Sequence, residues 1–472
     1  MNTKKRSRRA APTRALITSD LRPIEGRLAS GKLLRTKVPR RSHAAWNPPR
    51  RRRDPVEILV ESSAGRVTDL VPIRYGRMLA SPFAFYRGAA AIMAADLAHT
   101  PVNGQRVQAC GDCHLVNFGG FATPERRVIF DINDFDETLP GPWEWDLKRL
   151  VTSFVIASRN NRLGRAEGRA AARTCARSYR ESMHRLAEQH PLEVWYARID
   201  AETTVASFSD KATIRRIRRR IDKATRQNVP EHDFPKLATL SGGRPRISDN
   251  PPLIFHPVEA DSPSFQKNVQ ETFARYRVSL PDERRLLLDR FAIADIAQKV
   301  VGVGSVGTWC GILLMTDGDS APLFLQVKEA RRSVLEAYAG ASAYANRGQR
   351  VVVGQRLMQS ASDMFLGWTE GAGGRHFYLR QLRDMKIKPM VELYDGTVMV
   401  EYALLCGRAL AHAHARSGDA ATIAGYLGSS GAFDAAVASF GDCYADQNES
   451  DYAALKAAVE SGRVEAFVES SG

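Results

Sequence analysis

The stretch Cys110-Gly111-Asp112-Cys113-His114-Leu115-Val116-Asn117, followed by Asp131-Ile132-Asn133-Asp134-Phe135-Asp136-Glu137, spaces acids and an amide as a phosphoryl-transfer centre requires them. A carboxylate within hydrogen-bond reach of a hydroxyl can take its proton, and magnesium prefers hard oxygen donors such as carboxylates and amide carbonyls. Asp112 suits the base and Asn117 a metal ligand. Val128-Ile129-Phe130 reads as a strand. If the chain stays extended beyond it, Asp134 and Asp136 point to one side and Asp131 to the other. Asp134 is therefore the expected metal ligand, with Asp136 beside it. The plain alternative is an acid-rich turn that closes a hairpin.

The two runs, with Trp145-Asp146-Leu147 after them, resemble the aminoglycoside and choline kinase branch of the protein kinase-like superfamily. Its catalytic loop reads roughly H-G-D-x-H-x-x-N and its metal strand D-F-D-D, with W-D-L further on. The resemblance implies an α+β fold of two lobes, a small antiparallel sheet and a mainly helical part. It also implies ATP and Mg2+ as cofactors, Asp112 as base, and Asn117 and Asp134 as metal ligands. Cys110 stands where such proteins carry His. Cys110-x-x-Cys113-His114 also matches a haem-attachment pattern, but no apolar run long enough for a signal peptide precedes it, and the other cysteines contain no second C-x-x-C for zinc.

Far downstream, Gly302-Val303-Gly304-Ser305-Val306-Gly307 has the spacing that lets backbone amides approach phosphates. A dinucleotide-binding loop would open a helix, whereas a kinase loop joins two strands and leads to a lysine on the second. Here Trp309–Met315 reads as a strand, Thr316-Asp317-Gly318-Asp319 as a turn and Leu323–Lys328 as the returning strand. Gly302, Gly304, Ser305 and Gly307 are the expected phosphate loop. Lys328 is the expected clamp on the nucleotide phosphates, paired with Glu336 or, as a rival, Glu329. Strands over 349–353 and His376–Leu382 would complete the sheet and lead to an adenine-binding hinge near Arg383-Asp384.

In ordinary kinases the glycine loop precedes the catalytic loop; here it follows, which implies a rearranged, permutation-like order. Leu70–Met78, Ser81–Gly88, Gly111–Gly119, Lys299–Thr308 and Leu325–Ala330 resemble the bacterial family called domain of unknown function 2252. The expected divisions are a basic disordered arm at 1–55, catalytic and metal segments at 56–160, a helical segment at 161–290, the glycine-loop sheet at 291–390, and a helical segment at 391–472.

Of the net charge of +16, residues 1–53 hold 17 Lys and Arg against Asp20 and Glu25, hence 15 charges. Such a segment reads as a mobile arm, either a solubilising tail or a contact for phosphate polymers. No run of eighteen apolar residues suggests a membrane span, and six scattered cysteines do not form a disulfide framework, so a reducing cytoplasm is the expected setting. Helices are expected over 83–98, 143–186, 210–226 and 398–416 and from 442 onward, with a loop over 240–257. His412 and His414 stand two apart and cannot share a helix face; His414 and Asp419 are candidates for the cleft border.

Overall fold

The computed structural model describes residues 20–226, 237–241, 244–251, 253–300, 302, 304, 306–382 and 386–468. Its strands, in chain order, begin with β1 (Arg106–Ala109), β2 (Phe118–Ala122), β3 (Val128–Ile132) and β4 (Leu139–Pro142). They form two antiparallel pairs, β1 with β4 and β2 with β3. A hairpin of β5 (Ala238–Ser241) and β6 (Arg244–Ile247) follows. Then β7 (Ile254–Phe255), β8 (Ala292–Lys299), β9 (Cys310–Thr316), β10 (Pro322–Glu329), β11 (Gly367–Glu370) and β12 (His376–Gln381) build one antiparallel sheet in the order β11-β12-β10-β9-β8-β7.

The central strands of this sheet are apolar on both faces because both faces are covered. Leu313 and Met315 of β9, with Leu325 and Val327 of β10, pack on Tyr276, Leu280 and Leu288. Ile312, Leu314 and Phe324 point the other way, toward Leu237 and Ile247. The period of two along a strand then places Gln326 and Lys328 on the face of Phe324. Their cross-strand partners on β12, Arg380 and Tyr378, share that face. It is the face that looks onto the acidic segment.

The helical core is built around Trp143–Asn160, buried from Trp143 to Ser158, with Arg165–Ala187, Gly396–Ser417 and Ala432–Glu460 packed about it. Trp143 stacks on Tyr179 with centroids 5.6 Å apart. Asp395 caps Gly396–Ser417 by accepting the Val398 N–H at 2.9 Å. Among the described residues no helix is long and apolar enough to cross a membrane.

Several expectations are corrected. Residues 349–353 lie in the helix Arg347–Met358, not a strand: Asn346 caps it, and Val351, Val352, Gln355 and Met358 are buried at helical spacing. The expected loop at 240–257 contains the β5–β6 hairpin and β7. The expected helix over 83–98 is two, Pro82–Gly88 and Ala90–Leu97. Residues 1–19 and the Arg383-Asp384 hinge lie outside the described residues.

From residue 20 the basic segment is not a free arm. Ile24–Lys37 is a helix laid on Ala420–Leu427 so closely that a Cβ on Gly31 would sit 2.0 Å from the Thr422 carbonyl oxygen. Arg27 pairs with Asp419 at 2.9 Å, which takes Asp419 away from any cleft. Arg52 binds both Asp96 and Asp451 through its Nη2, at 2.7 and 2.6 Å.

Candidate functional site

The loop after β1 is held from below by the first turn of the Trp143–Asn160 helix. Asp146 accepts the backbone N–H of Cys110 at 2.6 Å and of Gly111 at 2.9 Å through its two oxygens. His414 Nε2 lies 3.2 Å from the same carboxylate, and its Nδ1 lies 2.9 Å from the Tyr179 hydroxyl. The acid of Trp145-Asp146-Leu147 thus braces the loop, and buried His414 orients that acid.

Three residues further along the helix, hence on the same face, Arg149 reaches Asp112. Asp112 Oδ1 accepts Arg149 Nε at 2.8 Å and a second bond from Nη2. Burial pushes the Asp112 carboxyl above its ordinary value, against the lowering influence of Arg149. The Arg149 guanidinium also lies 4.5 Å over the Tyr86 ring and donates to the Tyr86 carbonyl at 3.0 Å. The expectations drawn from the sequence name no basic partner for Asp112 and miss Arg149. The available signal was its spacing of three from Asp146.

Asn117 closes the loop by donating from Nδ2 to the Asp112 carbonyl at 2.8 Å, which leaves its Oδ1 to accept or coordinate. Its own carbonyl accepts the Asn133 N–H at 2.8 Å, extending the β2–β3 ladder by one rung. The hairpin therefore sets the acids after β3 beside the loop before β2. Beyond the hairpin, Asp136 donates its N–H to Asp134 Oδ1 at 3.2 Å.

Lys328 meets these acids from the sheet. Its Nζ lies 2.6 Å from Asp136 Oδ2 and 3.9 Å from Asp134 Oδ2, and the Tyr378 hydroxyl donates to Asp136 Oδ1 at 2.5 Å. Burial opposes charge on Asp136, but Lys328 and Tyr378 outweigh it and hold that carboxyl below its ordinary value. Its recessed place and the charge of Asp136 push Asp134 up, although 37% of the Asp134 side chain remains exposed. For Lys328, burial is outweighed by the two aspartates, so the ammonium is held charged.

The expected Lys328–Glu336 pair is not formed, nor is the rival pair with Glu329. Glu336 sits at the start of a short helix, where it accepts Arg332 Nε at 3.1 Å and the Ser333 N–H at 3.1 Å. Glu329 accepts the Trp309 N–H at 3.0 Å. Lys328 points to the opposite side, onto the acids of the hairpin segment.

The glycine loop joins β8 to β9. Gly302, Gly304 and Gly307 are described; Ser305 is not. The Gly307 carbonyl accepts the Val67 N–H at 2.7 Å, and Arg66 donates to the Val306 carbonyl. Gly307 has φ +83°, and a Cβ there would lie 3.0 Å from Arg66 Cβ, so both backbone and space call for glycine. Gly302, Gly304, Lys328, Asp112, Asn117, Asp134 and Asp136 line one cleft of about 1230 Å³.

A family model for uncharacterised proteins conserved in bacteria, domain of unknown function 2252, matches residues 66–458. The chain belongs to that family. No curated protein and no solved structure matches the chain. The domain of unknown function 2252 thus spans every candidate site residue, including Arg149, Asp146 and His414, while Arg53 and Ser62 reach the same cleft from outside the matched region. The six cysteines are free, and among the described residues no group of three or more His, Cys, Asp or Glu is placed to hold a metal. Magnesium does not require such a cage, since it is commonly held by one or two carboxylates together with substrate phosphates and water. Asn117 Oδ1 and the open Asp134 carboxylate have the right chemistry; Asp136 is committed to Lys328 and Tyr378.

Proposed function

We propose that this cleft is the site of an ATP- and Mg2+-dependent phosphotransferase acting on a hydroxyl acceptor. The observation that carries the reading is the meeting of Lys328 with Asp134 and Asp136, residues far apart in sequence, beside the loop of Asp112 and Asn117.

Asp112 is fixed through Oδ1 by Arg149 and uses its other oxygen to take the acceptor's proton. The acceptor oxygen bonds to the γ-phosphorus as the bond to the β–γ bridging oxygen breaks, leaving ADP and a phosphorylated acceptor. Lys328 binds the nucleotide phosphates by exchanging part of its contact with Asp136. Backbone amides of the glycine loop approach those phosphates, with Gly302 having open space around it. Asn117 and Asp134 would hold magnesium, which would supply charge that neutralises the phosphates.

Calorimetric titration of ATP with and without magnesium tests the reading on the parent, Asp134→Ala and Lys328→Ala. Magnesium-dependent binding that is lost in both variants is expected. Absence of binding by the folded parent would overturn it. Asp112→Ala should retain binding and lose transfer; equal turnover would instead leave a nucleotide-binding role with chemistry elsewhere.

A further inference from the structure

The cleft carries more positive charge than the proposed reaction centre consumes. Among the described residues thirteen Lys and Arg line it against six Asp and Glu. Lys328 is matched by Asp136, and Arg149, behind the loop, by Asp112. Five of these cations, Arg66, Arg74, Arg77, Arg87 and Arg331, share the wall made by residues 62–88 and by Arg331. Arg74 is buried and donates to the hydroxyls of Ser62 and Ser63 and to the Gly88 carbonyl. Arg331 donates to the carbonyls of Ser62 and Ala64. Arg66 donates to the carbonyls of Ser62 and Val306. None of these three makes an ion pair with a carboxylate among the described residues. Arg74 and Arg87 each also have a buried Nε with no hydrogen-bonding partner among the described residues.

These cations also crowd one another. Burial, with Arg74 and Arg331 nearby, lowers Arg66 to about 9; burial, with Arg331, lowers Arg74 to about 10. Arg74 is buried and Arg66, Arg87 and Arg331 are half-buried; a cluster of recessed cations without a carboxylate partner reads as half of an ion-binding site whose other half arrives with a ligand. The wall is contiguous with the reaction centre. Gly304 lies against the Arg87 carbonyl, 3.6 Å from where its Cβ would be, and the charge of Asp112 acts on Arg87.

We infer that Arg66, Arg74, Arg87 and Arg331 form a subsite for a phosphate group on the second substrate, which makes the acceptor a small soluble molecule that already carries a phosphate ester beside its reactive hydroxyl. The inference rests on the phosphotransferase reading for the word acceptor, but the phosphate subsite stands without it. Arginine forks suit tetrahedral oxyanions, and the enclosed position between two walls suits a small molecule rather than a membrane or an extended polymer.

The full chain is titrated with glycerol 3-phosphate, and with glycerol as the uncharged comparison, both alone and when saturated with Mg2+ and a nonhydrolysable ATP analogue. Glycerol 3-phosphate should bind under both conditions, at least tenfold more weakly in Arg87→Gln and in Arg331→Gln, and glycerol should not bind. Arg87→Gln should melt no lower than the parent, since it removes a half-buried cation whose Nε has no hydrogen-bonding partner among the described residues. Binding that the ATP analogue displaces would mean that the wall holds the nucleotide's own phosphates; this overturns the subsite and leaves the phosphotransferase reading intact. No binding, or equal binding by the variants, overturns it too. Binding in a parent that does not take up Mg-ATP would retain the subsite and remove the phosphotransferase reading. Sedimentation with phosphatidylglycerol vesicles that Arg87→Gln abolishes would place the phosphate on a lipid and overturn the soluble ligand.

Discussion

For its proposed role as a base Asp112 lies in an unusual environment, because the same arginine that fixes it also weakens it as a proton acceptor. Its carboxyl is raised above the ordinary value by burial, and Arg149 pulls it back down. The base form is populated above that raised value, so phosphoryl transfer should fall as pH drops toward it. Arg149→Met removes the lowering influence. The acid limb of the rate profile should then move to higher pH, and a profile of kcat against pH in both proteins checks this. A limb that stays in place would show that another group sets it. Asp146→Asn tests the loop's support: a charged acceptor of two backbone N–H groups becomes a neutral amide with one acceptor oxygen. The expected cost is about 1.5–3 kcal/mol of stability, read from urea midpoints. That Asp112 and Asn117 meet in one loop was legible from sequence because their spacing is local. Arg149 and the Lys328–Asp136 pair were not legible, because which of many basic residues meets a given acid is decided by packing between distant segments.

At the scale of elements, the β9–β10 hairpin was readable because its strands are buried on both faces and separated by Asp317-Gly318, a strong turn signal. The run Val351-Val352-Val353 misled because a short apolar run suits a buried strand and one face of a helix equally, and the Asn346 cap decides for the helix only when its distance to Gln349 is known. β5 and β6 were hidden for another reason, since their surroundings of Gly, Ser and Pro read as a loop. The sheet's two faces make separable predictions. Leu325, fully buried on the face away from the cleft, contributes packing alone. Leu325→Ala should destabilise by about 2–5 kcal/mol in chemical denaturation. Lys328→Met, on the opposite face, should leave Asp134 and Asp136 facing each other without their cation. It should lose magnesium-dependent nucleotide binding, as Lys328→Ala does, while the sheet persists by circular dichroism.

For the whole molecule, the order of the motifs along the chain matters less than the two hairpins that bring them together, β2 beside β3 and β9 beside β10, with Ile387 bridging back to Gly120. Charge counting failed at this scale. The excess of Lys and Arg before residue 54 suggested a mobile arm, yet composition cannot tell a solvated arginine from one that crosses the fold. Arg52 is the decisive case: it joins Asp96 on one helix to Asp451 on another, and both carboxylate side chains are only 4% exposed. Even with this partner, burial keeps the Asp451 carboxyl above its ordinary value. Arg52→Ala would leave two buried acids facing each other and should cost about 3–5 kcal/mol near neutral pH. The pH dependence follows from the sign of the shift. With its cation gone, Asp451 is raised further, so over the intervening pH range the native state binds a proton that the unfolded state does not, and stability rises as pH falls. Thermal melts of Arg52→Ala should therefore approach those of the parent as the medium is made mildly acidic, with the gap widening toward neutral pH. A constant gap would mean that Arg52 acts through packing rather than charge. The same ion pairs predict that removing residues 1–53 lowers the melting temperature as Arg52→Ala does.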